Sequence, residues 1–81
     1  MSASERVAEF LLEMASRRPE SLEIALPMPQ RDIADYLGLT IETVSRALGS
    51  FESASAIERP TTRRLVLRNP AALNQATKSP L

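Results

Sequence analysis

Glu42, Ser45 and Arg46 bring an acceptor, a hydroxyl and a guanidinium together at separations of three and four residues. On a helix that spacing puts all three on one face. An arginine so placed can donate two hydrogen bonds to guanine O6 and N7, a glutamate can accept from cytosine N4 or adenine N6, and a serine can serve in either role. A glutamate and an arginine at that distance are also what a salt-bridged surface helix carries, so the trio alone leaves both readings open. Arg31 and Thr43 around it, and Thr61, Thr62, Arg63 and Arg64 farther along, add donors suited to phosphate oxygens. Exposed arginines and threonines need no such purpose singly; two of each in a row form a more pointed pattern.

Other chemistry is largely excluded by composition. The chain has no Cys and no His, which removes disulfides, thiolate nucleophiles, zinc-finger ligands and the usual neutral-pH general base. No glycine-rich phosphate loop is present, so no enzyme, catalytic group, metal set or cofactor is expected. Glu5, Glu9 and Glu13 repeat every fourth residue, and they read as a solvated helix face in preference to a carboxylate site. Eighty-one residues form one small domain that buries roughly 60–65% of its unfolded surface, leaving no room for a deep cavity. No apolar stretch approaches the ~20 residues that span a bilayer, and the N-terminus has no charged-then-apolar leader. The expectation is a cytoplasmic protein without a membrane partner.

Formal net charge is zero, which at first argues against a polyanionic partner. The charge is nevertheless polarised along the chain. Residues 1–58 hold five arginines against all ten acids, whereas residues 59–81 hold Arg59, Arg63, Arg64, Arg68 and Lys78 and no acid. Either an acidic body carries a solvated basic tail, or a basic hairpin is set against a phosphate backbone. What precedes the hairpin decides between them.

The elements that would position these residues follow from periodicity. Ser2 and Glu5 have the form of a capping box, and Val7, Phe10, Leu11 and Met14 recur at helical spacing, predicting a helix over about 4–17, with Glu13 and Arg17 spaced for an ion pair. After a turn at 18–21, Leu22, Ile24 and Leu26 alternate with Glu23 and Ala25, predicting a half-buried strand over 22–26. Pro29 suits the first turn of a second helix over about 29–37. Ile33 and Leu37 face inward there, Ala34 permits a close helix crossing, Gly38 supplies a positive φ in the turn and Leu39 plugs it. Thr40 then caps a third helix over about 40–53, whose inward face is Val44, Ala47, Leu48 and Phe51. Residues 56–68 read as strand, turn and strand with a basic tip, Leu65 and Leu67 on one face. Asn69-Pro70 starts a short helix over 70–76, and 77–81 is expected to be a disordered tail.

The run Asp32-Ile33-Ala34-Asp35-Tyr36-Leu37-Gly38-Leu39-Thr40-Ile41-Glu42-Thr43-Val44-Ser45-Arg46 closely resembles the helix-turn-helix of the Crp/Fnr family of transcription regulators, particularly its Fnr/FixK-like branch. The resemblance extends from Arg6-Val7-Ala8 through Arg63-Arg64-Leu65-Val66-Leu67-Arg68-Asn69, nearly the whole chain. In that branch the recognition helix carries Glu, two variable residues, then Ser-Arg, here Glu42, Ser45 and Arg46; Ile41 stands where the Crp branch proper has an arginine. The resemblance implies an α+β, mainly α, winged helix-turn-helix with a short N-terminal strand and a C-terminal hairpin wing. It implies double-stranded DNA with a TTGAT-like half-site as the partner, with Glu42, Ser45 and Arg46 on bases. Arg31, Thr43, Thr61, Thr62, Arg63 and Arg64 would then lie on phosphates. It also implies RNA polymerase as a second partner, through the loop at 18–22.

The chain departs from the family in three places. Ser55 stands where relatives usually have a glycine in a left-handed turn, which should cost on the order of 1 kcal/mol. Met28-Pro29 offers no side-chain acceptor where relatives often have Ser or Thr. Relatives also place a sensor barrel and a dimerisation helix ahead of this region, and this chain starts almost at its first helix. Dimerisation is therefore expected only through elements absent from it, and a lone domain should bind weakly and with strong salt dependence. An alternative remains at this level: a winged-helix interaction module, or a truncated antagonist of a full-length regulator or a polymerase subunit.

Overall fold

A computed structural model describes residues 2–77; within the expected tail, Thr77 closes the last helix and 78–81 lie outside the described residues. Helix α1, Ala3–Ser16, begins with the reciprocal capping box: the Glu5 amide donates to Ser2 Oγ at 3.1 Å and the Ser2 amide to Glu5 Oε1 at 2.7 Å. Val7, Ala8, Phe10 and Leu11 face the interior. Arg17 becomes the C-cap, and the ion pair in this region is Arg18–Glu20 at 3.8 Å in place of the Glu13–Arg17 pair that the spacing favours.

Strand β1, Glu23–Ala25, buries Ile24. Helices α2, Gln30–Leu37, and α3, Ile41–Ser53, pack on one another across the turn. Pro29 becomes the N-cap of α2 and makes no side-chain cap bond, having no acceptor to offer. Gly38 ends α2 at φ 72°, and the Leu39 amide returns to the Ala34 carbonyl at 2.8 Å. Thr40 caps α3 by accepting from the Thr43 amide. Helix α3 ends in the same way as α2: Ser55 takes φ 59° and the Ala56 amide returns to the Phe51 carbonyl at 2.9 Å. The left-handed turn expected after α3 is thus formed here by a serine.

The wing strands are β2, Ile57–Glu58, and β3, Arg64–Leu67. They form an antiparallel sheet with β1 in the order β1-β3-β2, registering Ile24 on Leu65 and Ile57 on Leu67. The strand before the helix-turn-helix therefore belongs to the wing's own sheet. Leu65 and Leu67 point inward and Arg64 outward. Leu22, expected to share the inward face with Ile24 and Leu26, is 59% exposed: its carbonyl takes the Leu67 amide at 2.8 Å, but its side chain lies beyond the strand's end. Helix α4, Pro70–Thr77, opens with the Ala72 amide on Asn69 Oδ1 and seats the fully buried Leu73 against α1.

The buried core runs through every element, from Val7 and Leu11 of α1 through Ile33, Val44 and Leu48 to Ile57, Leu65 and Leu73. Leu37 and Leu39 pack against it half-buried. The molecule is mainly helical with a small three-stranded sheet, the architecture of a winged helix-turn-helix. Among the described residues, no helix is long and apolar enough to cross a membrane.

Candidate nucleic-acid interface

Burial of Val44, Ala47, Leu48 and Phe51 fixes the rotation of α3 about its axis. The opposite side must then face out, and Glu42, Ser45 and Arg46 are all exposed. None of the three makes a side-chain hydrogen bond or ion pair among the described residues. Glu42 and Arg46, spaced for a salt bridge, do not form one, which leaves acceptor and donor free to meet an outside partner. They line one shallow surface depression together with Ser45, Ile41 and Gln30.

Gln30 and Ile41 are the residues that sequence reasoning passed over as site members. Gln30 begins α2, half-buried beside the recognition surface. It borders a second depression with Arg31, Asp32, Pro29 and Ile41 and a third with Glu52, Arg59, Pro60, Thr61 and Thr62. It thereby joins the start of α2, the outer face of α3 and the wing tip into one surface. Its neighbour Arg31 was singled out for that position, and the same signal covers Gln30. Ile41, 40% exposed, is an apolar group in the middle of this polar surface.

The predicted phosphate-contacting residues divide into free and engaged groups. Arg31 is exposed with no internal partner among the described residues. Thr43 is half-buried, and its hydroxyl bonds the Thr40 hydroxyl at 2.8 Å. At the tip, Thr61 Oγ1 accepts from the Arg63 and Arg64 amides at 3.3 and 3.1 Å, shaping the turn, while Thr62 is exposed. Arg63 folds back: its Nε and Nη2 both donate to the Leu26 carbonyl at 3.2 Å, and its own carbonyl accepts from the Leu26 amide at 2.8 Å. Arg64 is paired with Glu23.

Two further pairs compensate the wing. Arg59 donates through Nε and Nη2 to Glu52 Oε1 at 3.2 and 3.0 Å. Arg68 Nη2 meets Glu58 Oε1 at 2.8 Å, and that hydrogen bond holds the Glu58 carboxyl below the ordinary glutamate range while raising Arg68. The polarisation seen along the chain is consequently much reduced in space, because Glu23, Glu52 and Glu58 all come from the acidic segment. On the α2–α3 surface Arg31 and Arg46 form no ion pair among the described residues, nor do Asp32 and Glu42, which line the same two depressions beside Gln30. The depressions are shallow and open, with free donors and acceptors presented outward; the surface suits recognition of an extended ligand more than enclosure of a small one.

Comparison with known proteins agrees with this picture. Residues 5–76 match the family described as the Crp-like helix-turn-helix domain. Nitrogen fixation regulation protein FixK of Azorhizobium caulinodans is 46% identical over 79 residues, covering 91% of this chain and 32% of that protein. The structure of FixK2 from Bradyrhizobium japonicum superposes with a TM-score of 0.89 at 46% identity, over 99% of this chain and 40% of that one. The CO-dependent transcription factor CooA from Carboxydothermus hydrogenoformans gives 0.85 at 31% identity, over 94% of this chain and 37% of that one. The chain spans about a third of the length of the curated relatives it matches.

Proposed function

The chain belongs to the family of Crp-like helix-turn-helix domains, and on that premise we propose that it is the sequence-reading module of a transcription regulator, laying α3 in the major groove over a TTGAT-like half-site. The observation that carries this reading is the unpaired, outward trio of Glu42, Ser45 and Arg46 around one depression. Arg46 donates to a guanine edge, Glu42 accepts from a cytosine or adenine amino group, and Ser45 adjusts to either. Ile41, exposed between them, adds an apolar contact to a thymine methyl. Arg31 and Thr43 at the groove edge and Thr61, Thr62, Arg63 and Arg64 at the wing lie against phosphates, fixing register without reading sequence. The start of α2, where the N-cap Pro29 has no side-chain acceptor, adds backbone donors suited to a phosphate. One copy of the domain reads one half-site; a palindrome calls for a second copy.

Fluorescence anisotropy with a TTGAT-containing duplex and a scrambled one tests the reading. Arg46→Ala should lose about 1–3 kcal/mol on the cognate duplex and flatten the discrimination between the two. Equal affinity of the unmutated protein for both duplexes would remove base readout. A second surface also has support: the loop at 18–22 ends in the exposed Leu22, which suits a protein contact such as RNA polymerase made while α3 occupies DNA.

A further inference from the structure

We infer that Arg59 is a phosphate-binding residue of the wing and that Glu52 holds it in reserve, a backbone phosphate taking the guanidinium over from Glu52 when α3 docks. The inference rests on the DNA-binding reading above and adds to it a pair of residues outside the contact set proposed there. Glu52 lies in the last turn of α3 and Arg59 directly follows β2, so their ion pair straps the recognition helix to the wing. Both donating nitrogens of Arg59 converge on one oxygen, Glu52 Oε1. That leaves Arg59 Nη1 and Glu52 Oε2 without a partner among the described residues. Such a pair is incompletely satisfied on both sides, and a phosphate offering two oxygens to the guanidinium fork is the better acceptor.

Location points the same way. Arg59 and Glu52 line the depression that contains Gln30, Thr61 and Thr62, and Gln30 also borders the depression of Glu42, Ser45 and Arg46. The pair therefore sits on the surface that faces the duplex, between the base-reading trio and the wing tip. A bare carboxylate there repels phosphates, so release of Arg59 from Glu52 costs free energy that a well-placed phosphate must offset. Paired with Arg59 the carboxylate is neutralised, and the pair is only partly buried, its side chains 25% and 44% exposed, so it stays weak enough to exchange. The arrangement also accounts for how a chain of zero net charge can serve a polyanionic ligand: acids hold Arg59, Arg64 and Arg68 until a phosphate is correctly placed. Sequence-independent affinity is thereby kept low, and base contacts carry a larger share of binding.

The consequence is specific to salt dependence. When a phosphate takes Arg59 in the unmutated protein, a counterion leaves the DNA but Glu52 is left to attract one, so the exchange adds almost nothing to the slope of log K against log salt. In Glu52→Gln the compensating term is absent. Its slope should be steeper by about one, and it should bind a scrambled duplex about two- to fivefold tighter at 0.1 M salt. In an Arg59→Gln background the same Glu52→Gln change should have no effect on slope, and Glu13→Gln, the same change of charge on the outer face of α1, should leave slope and affinity as they were. Thermal melts by circular dichroism confirm that each variant is folded. A purely structural strap predicts the opposite sign: Glu52→Gln would loosen the wing and weaken binding. Weaker or unchanged binding by folded Glu52→Gln, a gain that persists without Arg59, or an equal gain from Glu13→Gln would each overturn the inference while leaving base readout by α3 intact. If the unmutated protein binds neither duplex, the DNA reading fails first and takes this one with it.

Discussion

Ser55→Gly should stabilise the protein, and Gly38→Ser should destabilise it by a similar amount. Both positions end a helix of the helix-turn-helix in the left-handed region, at φ 59° and 72°, each followed by an amide that returns five residues to a helix carbonyl. A side chain in that region costs roughly 1–2 kcal/mol through the clash of Cβ with the following carbonyl. Glycine avoids the clash but has more freedom to lose on folding, roughly 0.4–1 kcal/mol. The difference leaves about 0.5–1 kcal/mol in favour of glycine, or about 3–6 °C in Tm for a domain of this size. Neither exchange is confounded by packing. Ser55 is exposed and its side chain makes no hydrogen bond among the described residues, while a Cβ at Gly38 would meet Arg6 Nη1 at 3.7 Å, an ordinary contact. Differential scanning calorimetry of both single variants and the double variant is the assay. The double variant should fall within about 0.5 kcal/mol of the unmutated protein, since the sites share no partner. A Tm that falls in Ser55→Gly would refute the strain assignment and imply that the serine hydroxyl holds the turn.

Leu73→Ala should be the costliest single truncation in α4, removing a side chain with no exposure at the α1–α4 contact; about 2–5 kcal/mol is expected in urea unfolding, enough to populate the unfolded state in a domain this small. Glu58 offers a pH test with a defined sign. Its carboxyl is held low in the folded state by the Arg68 hydrogen bond, so the pair contributes stability above the ordinary glutamate range and loses it as pH falls through the depressed value. The Tm difference between Glu58→Gln and the unmutated protein should therefore be present near neutrality and close on acidification; a gap that widens in acid would contradict the assignment.

Local chemistry made the fold readable, and long-range pairing did not. Ser2 and Glu5, Gly38 in its turn and Thr40 at its cap each encode a local geometry through a side chain or its absence, and each takes that geometry. Leu65 and Leu67 likewise point inward because period two needs only the strand itself. The partnership of β1 with β3 spans some forty residues, and nothing local in either segment specifies it. Leu22 was misplaced for a related reason: alternation continues past the end of a strand, whereas burial stops where the neighbouring layer stops.

The site divides along the same line. Exposure of Glu42, Ser45 and Arg46 follows from the inward residues of α3, because burying Val44 and Leu48 leaves the other face no alternative. Electrostatics could not be read that way. Summing charges along the chain makes the segment after residue 58 a basic arm, yet Arg59, Arg64 and Arg68 each meet an acid that lies 7 to 41 residues away in sequence. Among the described residues, folding leaves Arg31 and Arg46 without an ion pair beside α2 and α3, and of the wing arginines only Arg63, bound to the Leu26 carbonyl, lacks an acid. On the proposed reading, a domain built so depends less on bulk charge and more on the base edges offered to Arg46 and Glu42, and the ratio of cognate to scrambled affinity is the measurement that bears on it.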